Sequence, residues 1–177
     1  MTDYRRVWLP GATWFFTVNL ANRRSRLLVE QIDWLRTSFR HVQKAHPFKV
    51  IATVVLPDHI HAIWELPPGD TDYALRWRLI KTGFSRRIPK REYRRPSLVD
   101  KHERDVWQRR YWEHLIRNQD DLEQHVDYIH FNPVKHGHVP RAKDWPHSTF
   151  HRYVEKGLLP LDWGVTVGAE GDFGERR

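Results

Sequence analysis

Cysteine is absent from the sequence, which excludes disulfide bonds and any metal site that depends on thiolate ligands. Long apolar runs are absent too, since no stretch approaches the roughly 18 residues that a membrane-spanning helix requires. The apolar residues near the N-terminus are interrupted by Pro10 and Gly11, and no small-residue cleavage site follows, so we expect no signal peptide. These absences favour a cytoplasmic protein without a membrane partner.

Acidic residues are in deficit. Aspartate and glutamate number 22 against 30 lysines and arginines, which gives a formal net charge of +8 and a pI of about 10.0. The imbalance is concentrated in residues 76–110, where 13 basic residues stand against 4 acidic ones, with Trp77, Phe84, Tyr93 and Trp107 interspersed. Cations for phosphates and rings for bases are typical of a nucleic-acid-binding surface. The alternative is a basic helix and loop that contact only solvent.

Hydrophobic periodicity predicts seven elements in the order β-α-β-β-α-β-α. Pro47 and Pro133 mark the predicted ends of the first and third helices, and Asp70, Thr71 or Asp72 could cap the second. The predicted strands are 13–21, 48–56, 59–66 and 106–116, and the predicted helices are 31–46, 73–88 and 120–132.

This order is that of a split βαβ unit, so the expected fold is α+β, a ferredoxin-like antiparallel sheet with helices packed on it. The length of 177 residues suits one domain and is short for two. We therefore expect a single domain over residues 1–160. Residues 161–177 hold four of the nine glycines and are predicted to form a loose tail.

Two histidines one residue apart, His59 and His61, fall in the third predicted strand. Because side chains alternate along a strand, both lie on one face, and Ile60, Ala62 and Trp64 lie on the other, which suits a core. Two neighbouring imidazoles could begin a metal site, although such a site needs at least a third ligand. The alternative is a solvent-exposed strand face with two unrelated histidines.

The His-x-His spacing is weak evidence by itself, because a chain with 12 histidines contains it by chance. His136 and His138 show the same spacing. They flank Gly137 after a predicted helix end, where no regular structure fixes their geometry, so we predict no metal site there.

The predicted helix 120–132 offers further ligands. Its core stripe includes Val126 and Ile129, while Tyr128 and Asn132 are i and i+4 neighbours on an adjacent flank. A tyrosine hydroxyl and an amide oxygen on that flank could both face the histidine strand. The alternative is that Tyr128 is a boundary aromatic and that Asn132 merely ends the helix before proline.

Four blocks stand in one order along the chain: PDHIHAIWELP, VWQRRYWEHLIR, HVDYIHFNPVKHGHV and DWPHSTFHRYV. Together they resemble the REP-associated tyrosine transposases, which are bacterial single-tyrosine HUH nucleases related to small insertion-sequence transposases. The resemblance extends over about residues 4–154, nearly the whole domain. It implies an HUH endonuclease type of fold.

The resemblance also implies an activity, that of a metal-dependent DNA endonuclease and strand-transferase. His59 and His61 match the metal ligands, and Tyr128 matches the nucleophile that forms a 5′-phosphotyrosine. Asn132 matches the position that completes the metal site, where insertion-sequence relatives have glutamine. The family uses Mg²⁺ or Mn²⁺, binds hairpins of repetitive extragenic palindromes (REP) and cuts single-stranded DNA beside them. Its REP-associated members are thought to act as monomers, whereas the insertion-sequence relatives are dimers.

The basic segment would then hold the hairpin backbone, mainly through phosphate contacts. His125 and His114 could influence the ionisation of Tyr128, although a core or surface role is the alternative for both. The predicted DNA-binding residues are Arg76, Lys81, Arg86, Arg87, Lys90, Arg91, Arg94, Arg95, Arg109 and Arg110.

Two other functions stay open from the sequence. A non-catalytic relative could bind structured DNA or RNA without cutting it, as the basic charge and aromatic residues would allow. A histidine-based metallohydrolase that uses an activated water is the third hypothesis. It has less support, since no carboxylate stands at a recognisable ligand spacing.

Overall fold

The computed structural model describes residues 9–89 and 105–164. Within them, four antiparallel strands form one sheet in the order β2-β3-β1-β4. The strands are β1 (Thr13–Asn19), β2 (Lys49–Val55), β3 (His59–Glu65) and β4 (Trp112–Leu115). Since helices connect β1 to β2 and β3 to β4, this is the split βαβ arrangement, and the predicted α+β fold is confirmed.

The first strand lies inside the sheet because it is apolar on both faces. Residues 14–18 are all buried. Phe16 points to one face, where its ring centroid lies 5.0 Å from that of Trp64 and 5.6 Å from that of Trp77. Phe15 points to the other face, where its ring centroid lies 6.2 Å from that of Tyr128. A strand of this kind requires a covering layer on each side of the sheet.

Helices supply both layers. The second and third helices pack on the face that carries Phe16 and Trp64, and the fourth packs on the face that carries Phe15 and Ile63. The helices are α1 (Leu27–Glu30), α2 (Ile32–Ala45), α3 (Tyr73–Arg87), α4 (Gln119–Lys135) and α5 (Phe150–Glu155), with a 3-10 turn at Ala142–Asp144.

The two helices α3 and α4 begin at side-chain caps. Asp72, one of the three predicted candidates, accepts a hydrogen bond from the Leu75 N–H at 2.8 Å. Asn118 accepts one from the Asp121 N–H at 2.9 Å. Each cap satisfies a backbone donor that the first helical turn leaves without a partner.

The end of α4 differs from the prediction, because the helix continues past Pro133. Proline lacks an N–H group, but its fixed φ is compatible with a helix, so the chain loses one donor without leaving the helical path. The His136 N–H donates to the Asn132 carbonyl at 3.0 Å, and the Gly137 N–H donates to the Val134 carbonyl at 2.9 Å. As a result Lys135 belongs to the helix.

The fourth strand is shorter than predicted. Residues 106–116 were expected to be extended, but regular pairing with β1 begins only at Trp112. Upstream, Trp107 forms an isolated bridge with Leu20, and residues 108–110 are exposed. The sequence Gln-Arg-Arg at these positions offers no apolar side chain to bury against the sheet, which explains the interruption.

The region after α4 is more regular than the sequence indicated, since it contains the 3-10 turn and α5. The ring of Trp163 still packs against His130 and Phe150, with centroids 6.2 and 6.1 Å apart. Most of the predicted tail, residues 165–177, lies outside the described residues. In the described part of the chain, no helix is both long and apolar enough to cross a membrane.

Candidate active site

The third strand directs both paired histidines into the layer between the sheet and α4. His59 is 2% exposed and His61 is fully buried, and their ring centroids lie 4.8 Å apart. Ile60, Ala62 and Trp64 face the opposite core, as strand alternation predicted. The alternative of a solvent-exposed strand face is therefore wrong.

Each histidine is oriented by a hydrogen bond at its Nδ1 atom. The distance from His59 Nδ1 to the Asp58 carboxylate is 2.7 Å, and that from His61 Nδ1 to the Thr17 hydroxyl is 2.9 Å. An Nδ1–H that donates to such an acceptor fixes the tautomer and leaves the lone pair of the neutral ring on Nε2. Carboxylate and hydroxyl partners of this kind commonly orient metal-binding histidines.

The carboxylate of Asp58 is held in its ionised form. Burial alone would raise its pKa, but the hydrogen bond to His59 and the charge of Arg23 lower it below its usual value. Arg23 Nε lies 3.2 Å from the second carboxylate oxygen. Asp58 thus links a surface arginine to the buried histidine.

The tyrosine on α4 meets the histidine pair. The Tyr128 side chain is fully buried, and its ring centroid lies 5.2 Å from that of His61. The Lys135 ammonium donates to the Tyr128 hydroxyl at 3.3 Å and lies 4.6 Å from the ring centroid. A cation at this position can stabilise negative charge that develops on the phenolic oxygen during a reaction. Lys135 was not predicted as part of the site, because the helix was expected to end before this residue.

Asn132 lies one turn after Tyr128 on α4 and is also fully buried. With His59 and His61 it offers two imidazole nitrogens and one amide oxygen. Such a nitrogen and oxygen set can hold a divalent ion such as Mn²⁺ and leaves coordination positions for phosphate oxygens or water, whereas Mg²⁺ prefers oxygen ligands. The chemistry of these residues therefore fits a divalent metal ion.

A second polar cluster joins the start of α4 to β4. The ligand atoms of His114, Asp121 and His125 all lie within 4.8 Å of one another and could hold a metal ion. These residues already contact one another. His114 Nε2 lies 3.0 Å from the Asp121 carboxylate, and His125 Nδ1 donates to the Asp121 carbonyl at 2.7 Å. Burial lowers the pKa of His125, opposed by its bonds to Asp121. The ring of Phe15 packs against both His125 and His61. We interpret this cluster as a structural contact that holds α4 against β4.

A cleft of about 360 Å³ opens beside His59. One wall comes from the Arg-rich turn after β1, and another comes from His136 and His138 after α4. The His136 ring centroid lies 5.3 Å from that of His59. The second His-x-His pair, to which the sequence assigned no role, thus borders the first. The run RRSR at residues 23–26 is the sequence signal for this wall, and it lies outside the basic segment at residues 76–110.

One predicted DNA contact is corrected by the structure. Arg76 is buried, and its guanidinium binds both carboxylate oxygens of Asp70, at 3.0 and 2.6 Å. The same group donates to the carbonyls of His46, Pro47 and Asp72. With its donors occupied inside the protein, Arg76 holds the fold together, and we remove it from the proposed DNA surface.

The other predicted contacts divide into two groups. Arg86, Arg87, Arg109 and Arg110 are exposed, and the Lys81 ammonium donates to the Gln108 carbonyl at 2.7 Å. The remaining four lie outside the described residues: Lys90, Arg91, Arg94 and Arg95.

The aromatic residues interspersed in the basic segment suited base stacking, but two of them are not available for it. Trp77 and Phe84 are fully buried, because the period of α3 places them on its inner face. Trp107 packs against Phe84, with ring centroids 5.5 Å apart. Tyr93 lies outside the described residues.

Comparison with known proteins places this geometry in a family. The chain matches the family described as "Transposase IS200 like" over residues 14–132, and that family is generally metal-dependent. It is 49% identical over 176 residues to a REP-associated tyrosine transposase of Escherichia coli (strain K12), which covers 99% of this chain and 98% of that protein. It also superposes on the structure of a REP-associated tyrosine transposase bound to a REP hairpin, with a TM-score of 0.81, 48% identity, and coverage of 97% of this chain and 98% of that one. The chain therefore belongs to the IS200-like transposases and, within them, to the REP-associated tyrosine transposases, with their α+β fold of the HUH type.

Proposed function

We propose that this protein is a metal-dependent single-strand DNA endonuclease and strand-transferase that acts through a 5′-phosphotyrosine intermediate. One observation carries the proposal: the buried Tyr128 lies beside His61, at 5.2 Å between ring centroids, with the Lys135 ammonium 3.3 Å from its hydroxyl. The proposed nucleophile, a cation that can stabilise its phenolate and the proposed metal-binding pair are thus adjacent. Metal-assisted phosphodiester transesterification uses these three components: the nucleophile forms the new bond, and the cation and the metal ion stabilise the developing negative charge.

In the proposed reaction the Tyr128 oxygen attacks the scissile phosphorus in line with the departing 3′ oxygen. A bond forms between the phenolic oxygen and phosphorus while the bond from phosphorus to the 3′ oxygen breaks. The phenolic proton is released and the 3′ oxygen takes up a proton, so the products are a 5′-phosphotyrosine and a 3′-hydroxyl. Rejoining is the reverse reaction, in which a 3′-hydroxyl attacks the phosphotyrosine.

We propose that His59, His61 and Asn132 hold Mg²⁺ or Mn²⁺. When bound, the ion would supply positive charge to the scissile phosphate. The protein's own part is to fix the ligands: Asp58 and Thr17 orient the two imidazoles through their Nδ1 atoms. Because two of the three ligands are imidazoles, we expect Mn²⁺ to bind more tightly than Mg²⁺.

The proposed substrate is a REP-like palindromic hairpin with a single-stranded flank. Its support is the similarity to a transposase that was solved with a REP hairpin bound. We propose that exposed cations, among them Arg86, Arg87, Arg109 and Arg110, contact the DNA backbone. We propose that the protein acts in the cytoplasm as a monomer, with a dimer as the alternative.

The test is adduct formation. The protein is incubated with a labelled REP-like hairpin that carries single-stranded flanks of varied sequence, in Mg²⁺ or Mn²⁺, and denatured before electrophoresis. We expect a covalent protein–DNA band that depends on metal and disappears in Tyr128→Phe. A band that survives this substitution, or no band with any flank, would contradict the proposal.

The same experiment separates two other functions. Metal-dependent cleavage without a covalent band would point to an activated water and hence to a metallohydrolase. Tight hairpin binding that ignores both metal and Tyr128→Phe, with no cleavage, would point to a structured-DNA-binding or RNA-binding protein that has lost catalysis.

A further inference from the structure

The cleft beside His59 is built by two segments that are far apart in the sequence. The turn after β1 contributes Arg23, Arg24 and Arg26. The turn after α4 contributes His136 and His138. This second turn depends on Gly137, which has a φ of 68° and so adopts the left-handed conformation that ends many helices.

The charge of the cleft is only partly neutralised. Arg23 is paired with Asp58 at 3.2 Å, and it also donates to the Asn19 side chain. Arg24 and Arg26 are exposed, and within residues 9–89 and 105–164 neither guanidinium forms an ion pair with a carboxylate. Two guanidinium charges therefore face the cleft without a counterion from the described protein.

The position of the cleft relates it to the proposed chemistry, because His59 belongs to both. Its ring forms part of the cleft wall, and it lies 4.8 Å from His61 in the histidine pair. Because His59 is shared, the cleft adjoins the position that the scissile phosphate takes in the proposed function, within reach of a neighbouring nucleotide. The volume of about 360 Å³ is within the range of small-ligand sites and accommodates a group of that size.

We propose that this cleft binds a backbone phosphate of the single-stranded flank, next to the scissile phosphodiester, through Arg24 and Arg26. Guanidinium groups bind phosphate oxygens through paired hydrogen bonds, which position the strand as well as attract it. Arg23 is paired with Asp58, so it lines the cleft without binding the phosphate. The location next to the scissile bond rests on the proposed function, whereas the phosphate contact itself does not require cleavage.

The test measures binding in a Tyr128→Phe background with Mn²⁺ present, so that no cleavage intervenes. Two probes are compared by fluorescence anisotropy: a REP-like hairpin with a single-stranded flank and the same hairpin without it. We expect Arg24→Ala/Arg26→Ala to weaken binding of the flanked hairpin about 10- to 100-fold and that of the unflanked hairpin less than about twofold. The slope of log Kd against log salt for the flanked hairpin should fall by about 0.7 for each lost phosphate contact.

The matched control is Arg36→Ala/Arg40→Ala, which removes two exposed charges from α2, outside the cleft. It should affect both hairpins equally. To locate the contact, a neutral methylphosphonate replaces in turn the phosphate before and the phosphate after the scissile one. One position should weaken binding in the parent protein and have no further effect in Arg24→Ala/Arg26→Ala.

The outcomes distinguish this inference from the proposed function. Equal losses on both hairpins, or no methylphosphonate position that is coupled to the arginines, would overturn the phosphate site even if wild-type protein forms the tyrosine adduct. Coupling at one position would support the site even if wild-type protein forms no adduct.

Discussion

Lys135 brings a positive charge to the hydroxyl of Tyr128 from seven residues along the same helix. The ammonium lies 3.3 Å from the phenolic oxygen and 4.6 Å from the ring centroid. Tyrosine in water ionises near pH 10, so attack at neutral pH requires that the phenolate be stabilised. Two helical turns separate the residues, which places both on one side of α4.

We expect Lys135→Met to slow adduct formation about 10- to 100-fold, because the substitution removes the charge while keeping the length of the side chain. Hairpin affinity should change less than about threefold. Single-turnover kinetics of adduct formation measure the first effect, and anisotropy measures the second. Lys44→Met, on the exposed side of α2, is the matched control. An unchanged rate would show that Lys135 has no part in activating Tyr128.

The residues of the site differ in how far the sequence could reveal them. His59 and His61 were placed on one strand face, and Tyr128 and Asn132 on one helix flank, because local periodicity determines both. The contact of Thr17 with His61 could not be predicted, since it arises from the register of β1 against β3. The cleft beside His59 could not be predicted for the same reason, because its walls meet only in the folded chain.

At the scale of elements, Arg76 joins the start of α3 to the turn that leads into β2. Its guanidinium binds the Asp70 carboxylate and the carbonyls of His46 and Pro47. The hydrogen bond from Arg76 lowers the pKa of Asp70 below its usual value. A buried arginine that satisfies several acceptors is costly to remove, because its partners are left without a donor.

We expect Arg76→Met to lower the free energy of unfolding by about 2–4 kcal/mol at pH 7, measured by urea denaturation. Since the folded pKa of Asp70 is depressed, its contribution is present above the unfolded pKa of about 4 and is lost as pH falls through the folded value. The difference between wild type and variant should therefore shrink below pH 4.

The control for this prediction is Arg78→Met, an exposed arginine on the same helix, which should cost less than about 0.5 kcal/mol. Arg76→Met protein that remains folded should bind the hairpin normally. A loss of affinity without a loss of stability would restore Arg76 to the DNA surface.

The elements were predicted well where apolar periodicity is strong and poorly where tertiary contacts decide. The first three strands agree with the prediction to within a few residues. The first and third contain a continuous set of buried side chains, and the second buries alternate residues, Ala52 and Val54. The start of β4 and the end of α4 were missed. Aromatic residues at 107, 111 and 112 suggested one long strand, and proline at 133 suggested a helix end. In the folded chain the strand begins only at Trp112 and the helix continues to Lys135.

At the scale of the whole molecule, the candidate site lies where two layers meet. The sheet contributes His59 and His61, and α4 contributes Tyr128 and Asn132. A metal ion held by residues of both layers binds the native protein and not the unfolded chain. Metal binding should therefore stabilise the fold by mass action.

We expect Mn²⁺ at about 100 times its Kd to add about 2.7 kcal/mol of stability and to raise Tm by about 5–10 °C in a calorimetric scan without DNA. His59→Ala/His61→Ala should abolish the shift. Asn132→Ala should reduce it, and Asn132→Asp should retain it. If instead His114→Ala/His125→Ala abolishes the shift, the ion occupies the second cluster and the proposed ligand set is wrong.

The position of His59, at once in the cleft wall and in the histidine pair, has a thermodynamic consequence. If the metal and the DNA flank share this residue, each changes the affinity of the other, and by the same factor. A metal ion that raises the affinity for DNA tenfold must itself bind ten times more tightly once DNA is bound. The metal site would then be fully occupied only when a hairpin with its single-stranded flank is bound, and cleavage would be restricted to that complex.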